Sequence, residues 1–146
     1  MAHDMAETEL IRLECWARGL GTLLGSGVTL IRSLRALEQS ADTPALRSVL
    51  KDIGDRVENG ETLSAGMRNH TDEFGDLGIA MVRAGEYAGV LDETVASWAD
   101  LLERDIELRD RARLHRLLLR IAEAAGLWRA GDWEARVREA LREAQP

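Results

Sequence analysis

Few residues in this 146-residue chain are of types that make or break bonds, and their spacing does not group them. The histidines, His3, His70 and His115, are far apart, and none falls in a motif that pairs it with a nucleophile or a metal. Each reads as an exposed or loop histidine. Cys15 lies beside an apolar stripe with no His or Arg constellation visible near it, so it reads as a small buried hydrophobe rather than a nucleophile. Gly19-Leu20-Gly21 lacks the Lys-Ser/Thr ending of a phosphate loop and precedes no helix start. No His-Glu-x-x-His, Cys-x-x-Cys or EF-hand pattern occurs. The acidic pairs Asp72-Glu73 and Asp92-Glu93 could draw a divalent cation at an interface, but a solvated edge or a helix N-terminus explains them more simply. The expectation is a chain without catalytic residues, cofactor or metal.

One stretch, Met81 to Thr94, carries a different kind of information. It reads as the end of one helix, a glycine-marked corner, and the start of a long second helix. Gly85 removes a side chain where another backbone can press close, and Gly89 suits the positive φ of a helix end. Asp92 and Glu93 fall in the first turn of the next helix, where negative charge meets the positive end of the dipole. Arg83 and Glu86 are spaced to share a helix face and pair. As a surface pair they would contribute well under ~1 kcal/mol. As part of a docking surface they would matter through what they contact.

These residues need elements to hold them, and composition says which. Six aromatics and two prolines serve the whole length, while Ala, Leu, Arg and Glu dominate. That favours helices over a β-sandwich. The length suits one domain with a core large enough to need no disulfide. A single cysteine excludes an internal disulfide, and a net charge of −7 argues against a general nucleic-acid binder. The N-terminus lacks the order of a signal peptide. The longest uncharged run, Gly19 to Ile31, is shorter than the ~20 residues of a membrane span and contains four glycines. The chain reads as soluble and cytoplasmic.

Apolar periodicity predicts an all-α fold, an antiparallel six-helix bundle with an extra C-terminal helix. Residues 1–8 are expected to be frayed or disordered, 9–116 to form the bundle, and 117–146 a helical extension. Helix one spans about Glu9 to Leu24, with Leu10, Leu13, Ala17, Leu20 and Leu24 on one stripe, and Gly25-Ser26-Gly27 ends it. Helix two spans Thr29 to about Ser40, burying Leu30, Leu34, Leu37 and Ala41, with Thr29 as its cap. Thr43-Pro44 opens helix three, which buries Leu46, Val49, Leu50, Ile53 and Val57 and closes at Asn59-Gly60. A short helix from Thr62 to about Asn69 is followed by a polar link, His70 to Gly75, and a fifth helix from about Asp76 to Tyr87. Helix six keeps Leu91, Val95, Trp98, Leu102, Asp105 and Leu108 to Ala112 on one mostly apolar face. Trp16 and Trp98 read as core.

The order Arg83-Ala84-Gly85-Glu86, a glycine, and Leu91-Asp92-Glu93 resembles the signature of the type II secretion system F domain. This is the cytoplasmic module of the inner-membrane platform protein of type II secretion and type IV pilus machines. Leu23 to Ile31 is similar to that family's leucine pair, glycine and apolar start of helix two. Gly60-Glu61-Thr62-Leu63-Ser64 is similar to its turn into helix four. The resemblance covers about Arg12 to Arg113. The chain departs from the pattern at Thr29, where proline is frequent. It departs at Ala65, where a glutamate would complete a capping box with residue 62, and at Gly75, where proline usually follows Phe74. Family members then enter the membrane and later repeat the domain, and these 146 residues do neither.

Between Arg109 and Arg120 five arginines face one acidic residue, Asp110. A basic cluster there fits the positive-inside pattern of a helix approaching a bilayer, although a solvated face is the plainer reading and attraction to anionic lipid the lesser one. Arg120 and Glu123 interrupt the Leu117-Leu118-Leu119 run, so helix six is expected to continue to about Ala125. Residues 126–131 turn, and Asp132 caps a last helix carrying Trp133, Val137, Ala140, Leu141 and Ala144 on one side. Trp128 and Trp133 flank the turn and read as its seal. The faint tetratricopeptide character of Gly131-Asp132-Trp133 is one unit where about three are needed.

The resemblance implies a non-enzymatic scaffold. Its partners would be the secretion or pilus motor ATPase, other inner-membrane assembly proteins and a second copy of itself. Arg83, Gly85, Glu86, Gly89, Asp92 and Glu93 would be the partner-binding residues. The alternative is a free-standing regulator or adaptor that kept the fold without the membrane part.

Overall fold

The computed structural model describes residues 5–124 and 133–143. Among these residues every regular element is helical: α1 (Glu7–Gly25), α2 (Leu30–Ser40), α3 (Pro44–Glu58), α4 (Leu63–Met67), a 3-10 turn (Arg68–His70), α5 (Thr71–Ala88), α6 (Leu91–Ala124) and α7 (Trp133–Glu143). The chain divides into two compact units, residues 1–106 and 107–146.

In the first unit the predicted stripes become the core. Leu10, Leu13, Ala17 and Leu20 of α1, Leu34 of α2, Val49, Leu50 and Ile53 of α3, and Val95, Trp98 and Leu102 of α6 are buried. Met5 is buried with them, and α1 already begins at Glu7. Trp16 anchors the centre. Its ring lies 5.1 Å from Phe74, tilted, and 6.0 Å from Trp98, edge-on. Such pairs add about 0.5–1.5 kcal/mol each beyond the area they bury.

Several local expectations need correction. Thr29 precedes α2 but its side chain makes no capping bond. Its carbonyl instead accepts from both the amide and the hydroxyl of Ser33, so the buried serine is satisfied within the helix. The polar link before helix five is itself helical from Thr71. The interruption is confined to Gly75, whose φ of 74° leaves the helical region. Cys15 is exposed rather than buried, and partial desolvation together with the Glu14 carboxylate pushes its thiol pKa up. His70 is no free loop histidine. Its Nε2 lies 2.7 Å from Oδ2 of Asp52 on α3. Asp52 also accepts from Arg56, and the two partners hold its pKa below the usual carboxylate range. On α2, Arg35 reaches Glu38 at 2.9 Å, Asp55 at 2.7 Å and Glu58 at 2.8 Å, clamping α2 to α3.

In the second unit the expected apolar continuation of α6 fails at Leu108, which is 63% exposed. The reason is register: the core spacing of Val95, Trp98, Leu102 and Ile106 reaches Arg109, not Leu108. The turn at 126–131, Trp128, Asp132 and Ala144 lie outside the described residues, as do the side chains of Trp133 and Val137.

α5 packs closely against α6 at Gly78. A Cβ added at Gly78 would run into the Trp98 ring. Alanine there gains about 1 kcal/mol of helix propensity but overpacks a rigid indole, which costs about 1–3 kcal/mol. The clash wins. Gly78→Ala is expected to lower stability by up to about 2 kcal/mol, read as a reduced urea midpoint; a raised midpoint contradicts this packing.

Candidate functional site

The corner between α5 and α6 is built by backbone bonds. The Val90 amide donates to the Gly85 carbonyl at 3.0 Å and the Gly89 amide to the Glu86 carbonyl at 3.4 Å. This is the paired closure of a Schellman motif, and it needs the left-handed residue that Gly89 supplies at φ 71°. Val90 then opens α6: its carbonyl accepts from the Thr94 amide at 3.0 Å and the Thr94 hydroxyl at 2.8 Å. Asp92 and Glu93 occupy the first turn, as read from the sequence. Their charge there contributes about 0.3–1 kcal/mol each.

Gly85 is buried, and the group against it is a side chain rather than the backbone expected. An added Cβ would meet Thr94 Oγ1 at 2.6 Å. The corner can fold this sharply because position 85 contributes no atoms beyond the backbone.

Glu86 does not pair with Arg83. Its carboxylate accepts from the Ser64 amide at 2.9 Å and from the Ser64 hydroxyl at 2.6 Å. Ser64 is buried and stands in the first turn of α4, where helix amides have no intrahelical acceptor. Thr62 Oγ1 serves the next amide, Ala65, at 3.2 Å. The start of α4 is thus held by a threonine of its own and by a carboxylate supplied from α5, 22 residues along the chain. A capping-box glutamate at position 65 would reach back to the Thr62 amide; Glu86 instead meets the Ser64 amide, a different open donor of the same turn. Nothing local in the sequence ties Glu86 to Ser64, which lies 22 positions earlier.

The six predicted partner-binding residues therefore separate. Gly85 and Glu86 turn inward and build the corner. Arg83, Gly89 and Glu93 are exposed, and Asp92 is half-buried. Arg83 makes no ion pair among the described residues. It borders an open groove of about 440 Å³ along one side of α5, lined also by Arg68, Thr71, Asp76, Ile79, Ala80, Ala84 and Tyr87. Tyr87 is 86% exposed. Arg68 and Tyr87 are surface features that sequence reasoning missed, because nothing local ties the turn before α5 to its last residues. A second cleft, about 260 Å³, is lined largely by Met5, Leu13, Trp16, Leu46, Val49 and Phe74. Among the described residues no group of three or more His, Cys, Asp or Glu converges as a metal site.

Removing the α5 carboxylate strands the buried Ser64 amide, so Glu86→Ala should cost about 1–3 kcal/mol in chemical denaturation. Arg83→Ala, with no ion pair among the described residues to lose, should change stability by no more than about 0.5 kcal/mol. Equal effects at the two positions would contradict the assignment.

Residues 16–122 match the family described as type II secretion system (T2SS), protein F. Among curated relatives, the type IV pilus assembly protein PilC of Thermus thermophilus is 37% identical over 101 residues, covering 69% of this chain and 25% of that protein. Type II secretion system protein F of Xanthomonas campestris is 38% identical over 92 residues, 63% of this chain and 23% of the relative. The Vibrio cholerae protein of the same name is 34% identical over 94 residues, 64% and 23%. The chain spans about a quarter of the length of these relatives. The match across most of its length places this chain in the type II secretion system protein F family.

Proposed function

We propose that this chain is a non-enzymatic scaffold module of a type II secretion or type IV pilus assembly platform, positioned at the cytoplasmic face of the inner membrane. Its body, residues 9–116 packed as an antiparallel six-helix bundle, docks the motor ATPase and other inner-membrane assembly proteins and also pairs with a second copy. Residues 117–146 extend it. Among the described residues no helix is long and apolar enough to cross a membrane.

The observation that carries this reading is the division of labour at the α5–α6 corner of a family member. Gly85 and Glu86 are consumed in holding the corner and α4, while Arg83 and Tyr87 project beside the groove. Arg and Tyr are the residue types that dominate protein–protein hot spots, since each presents a large, planar contact surface with polar groups at its end. The shifted ionisable groups support a structural role. Arg18, Arg35, Asp52, Asp55 and Arg56 are displaced toward their charged forms by hydrogen bonds to ionic partners, some within a helix and some between helices. None is set up to exchange a proton with a substrate.

Titration of the chain with the motor ATPase of its own secretion or pilus system should show saturable binding. The Arg83→Glu/Tyr87→Ala pair should weaken it by about tenfold or more without loss of fold. Absence of binding by the folded chain at high concentration contradicts the scaffold reading, and full affinity in the variant contradicts the surface.

A further inference from the structure

The half of α6 beyond Ile106 carries two rows of unlike chemistry. Extending the core spacing of Val95, Trp98, Leu102 and Ile106 along the sequence lands on Arg109, Arg113, Arg116 and Arg120. At the unit boundary the residue type on that row changes from apolar to guanidinium. The apolar residues move to another row. Leu114, Leu117, Leu118 and Ile121 recur three and four apart and are 56%, 52%, 42% and 54% exposed. At about 100° per residue they fill an arc of roughly 100°. Arg113 and Arg120 border that arc on one side and Arg111 on the other. Glu107 and Asp110 precede the apolar row on the same arc and mark where it begins; from Arg111 to Ala124 four arginines outnumber one acid, Glu123, in a chain whose net charge is −7.

We infer that Arg111–Ala124 of α6 is a surface-binding helix for an anionic lipid bilayer. The Leu114, Leu117, Leu118 and Ile121 row enters the boundary between headgroups and acyl chains. Arginines on its two borders lay their methylene stems on that boundary and bring their guanidinium groups to the phosphates. An apolar row alone would fit another protein helix equally well. Cationic borders on both sides fit a surface that is apolar within and anionic on either side of the groove the helix makes, which a bilayer provides continuously. The same arginines keep the helix from crossing, so it lies in the plane of the surface. This inference does not depend on which protein meets the α5 groove.

Co-sedimentation of the full chain with phosphatidylcholine vesicles containing phosphatidylglycerol, against phosphatidylcholine alone, tests it. Binding is expected only with the anionic lipid and should fall as salt is raised. Arg113→Glu/Arg120→Glu should weaken it by about tenfold or more, and Leu117→Ser/Leu118→Ser should abolish it, with far-UV circular dichroism unchanged in both. If a variant loses helicity, the salt series on the unaltered chain decides the same question. No binding to anionic vesicles, equal binding to neutral ones, or self-association that Leu117→Ser/Leu118→Ser abolishes while vesicle binding persists would each overturn the proposal.

Discussion

The first unit depends on a carboxylate that bridges two helices. Glu86, near the end of α5, supplies the acceptor that the first turn of α4 lacks, and Ser64 donates to it through both amide and hydroxyl. A helix of five residues is far too short to hold itself together in water, since nucleation costs more than its few bonds return. α4 persists because its apolar residues, Leu63 and Met67, are buried and because its open amides are met from outside. The same glutamate sits one residue from Gly85, against which Thr94 of α6 packs. Three helices are therefore fixed within one turn of chain. Loss of the side chain at 85 lets α6 come near, and gain of the carboxylate at 86 ties α4 down.

Much of this was legible in the sequence, for an identifiable reason. Helix existence follows from apolar spacing, and that spacing survives whatever the tertiary arrangement. Hence the stripes of α1, α3 and the first half of α6 appeared where expected. The corner at Gly89 was legible because only a residue without Cβ enters the left-handed region cheaply. Pairings were less legible. Arg83 and Glu86 stand three apart and so suggested one another, yet Glu86 found Ser64, because a buried amide without acceptor outweighs an exposed ion pair. His70 likewise went to Asp52, 18 positions earlier. Cys15 was misplaced because its neighbour Trp16 takes the inward position on α1 and leaves it facing outward.

The long helix α6 illustrates how periodicity can mislead when carried too far. Its leucines continue past Ile106, so the segment looks uniformly apolar on one side when residues are grouped by type. Followed by angle, the core row ends in arginines and the leucines belong to a different face. A helix can thus serve as a core element in one unit and as an amphipathic surface in the next without any break in its backbone. In this member of the type II secretion system protein F family the corner fixes three helices, while Arg83 and Tyr87 beside it stay exposed.

The amide proton of Ser64 reports most directly on the bridging carboxylate. An amide in the first turn of an isolated helix has no acceptor and exchanges quickly with solvent. Native-state hydrogen exchange should find the Ser64 amide as protected as the core amides of α5, because Glu86 holds it. Exchange at the rate of an open helix end would contradict the account.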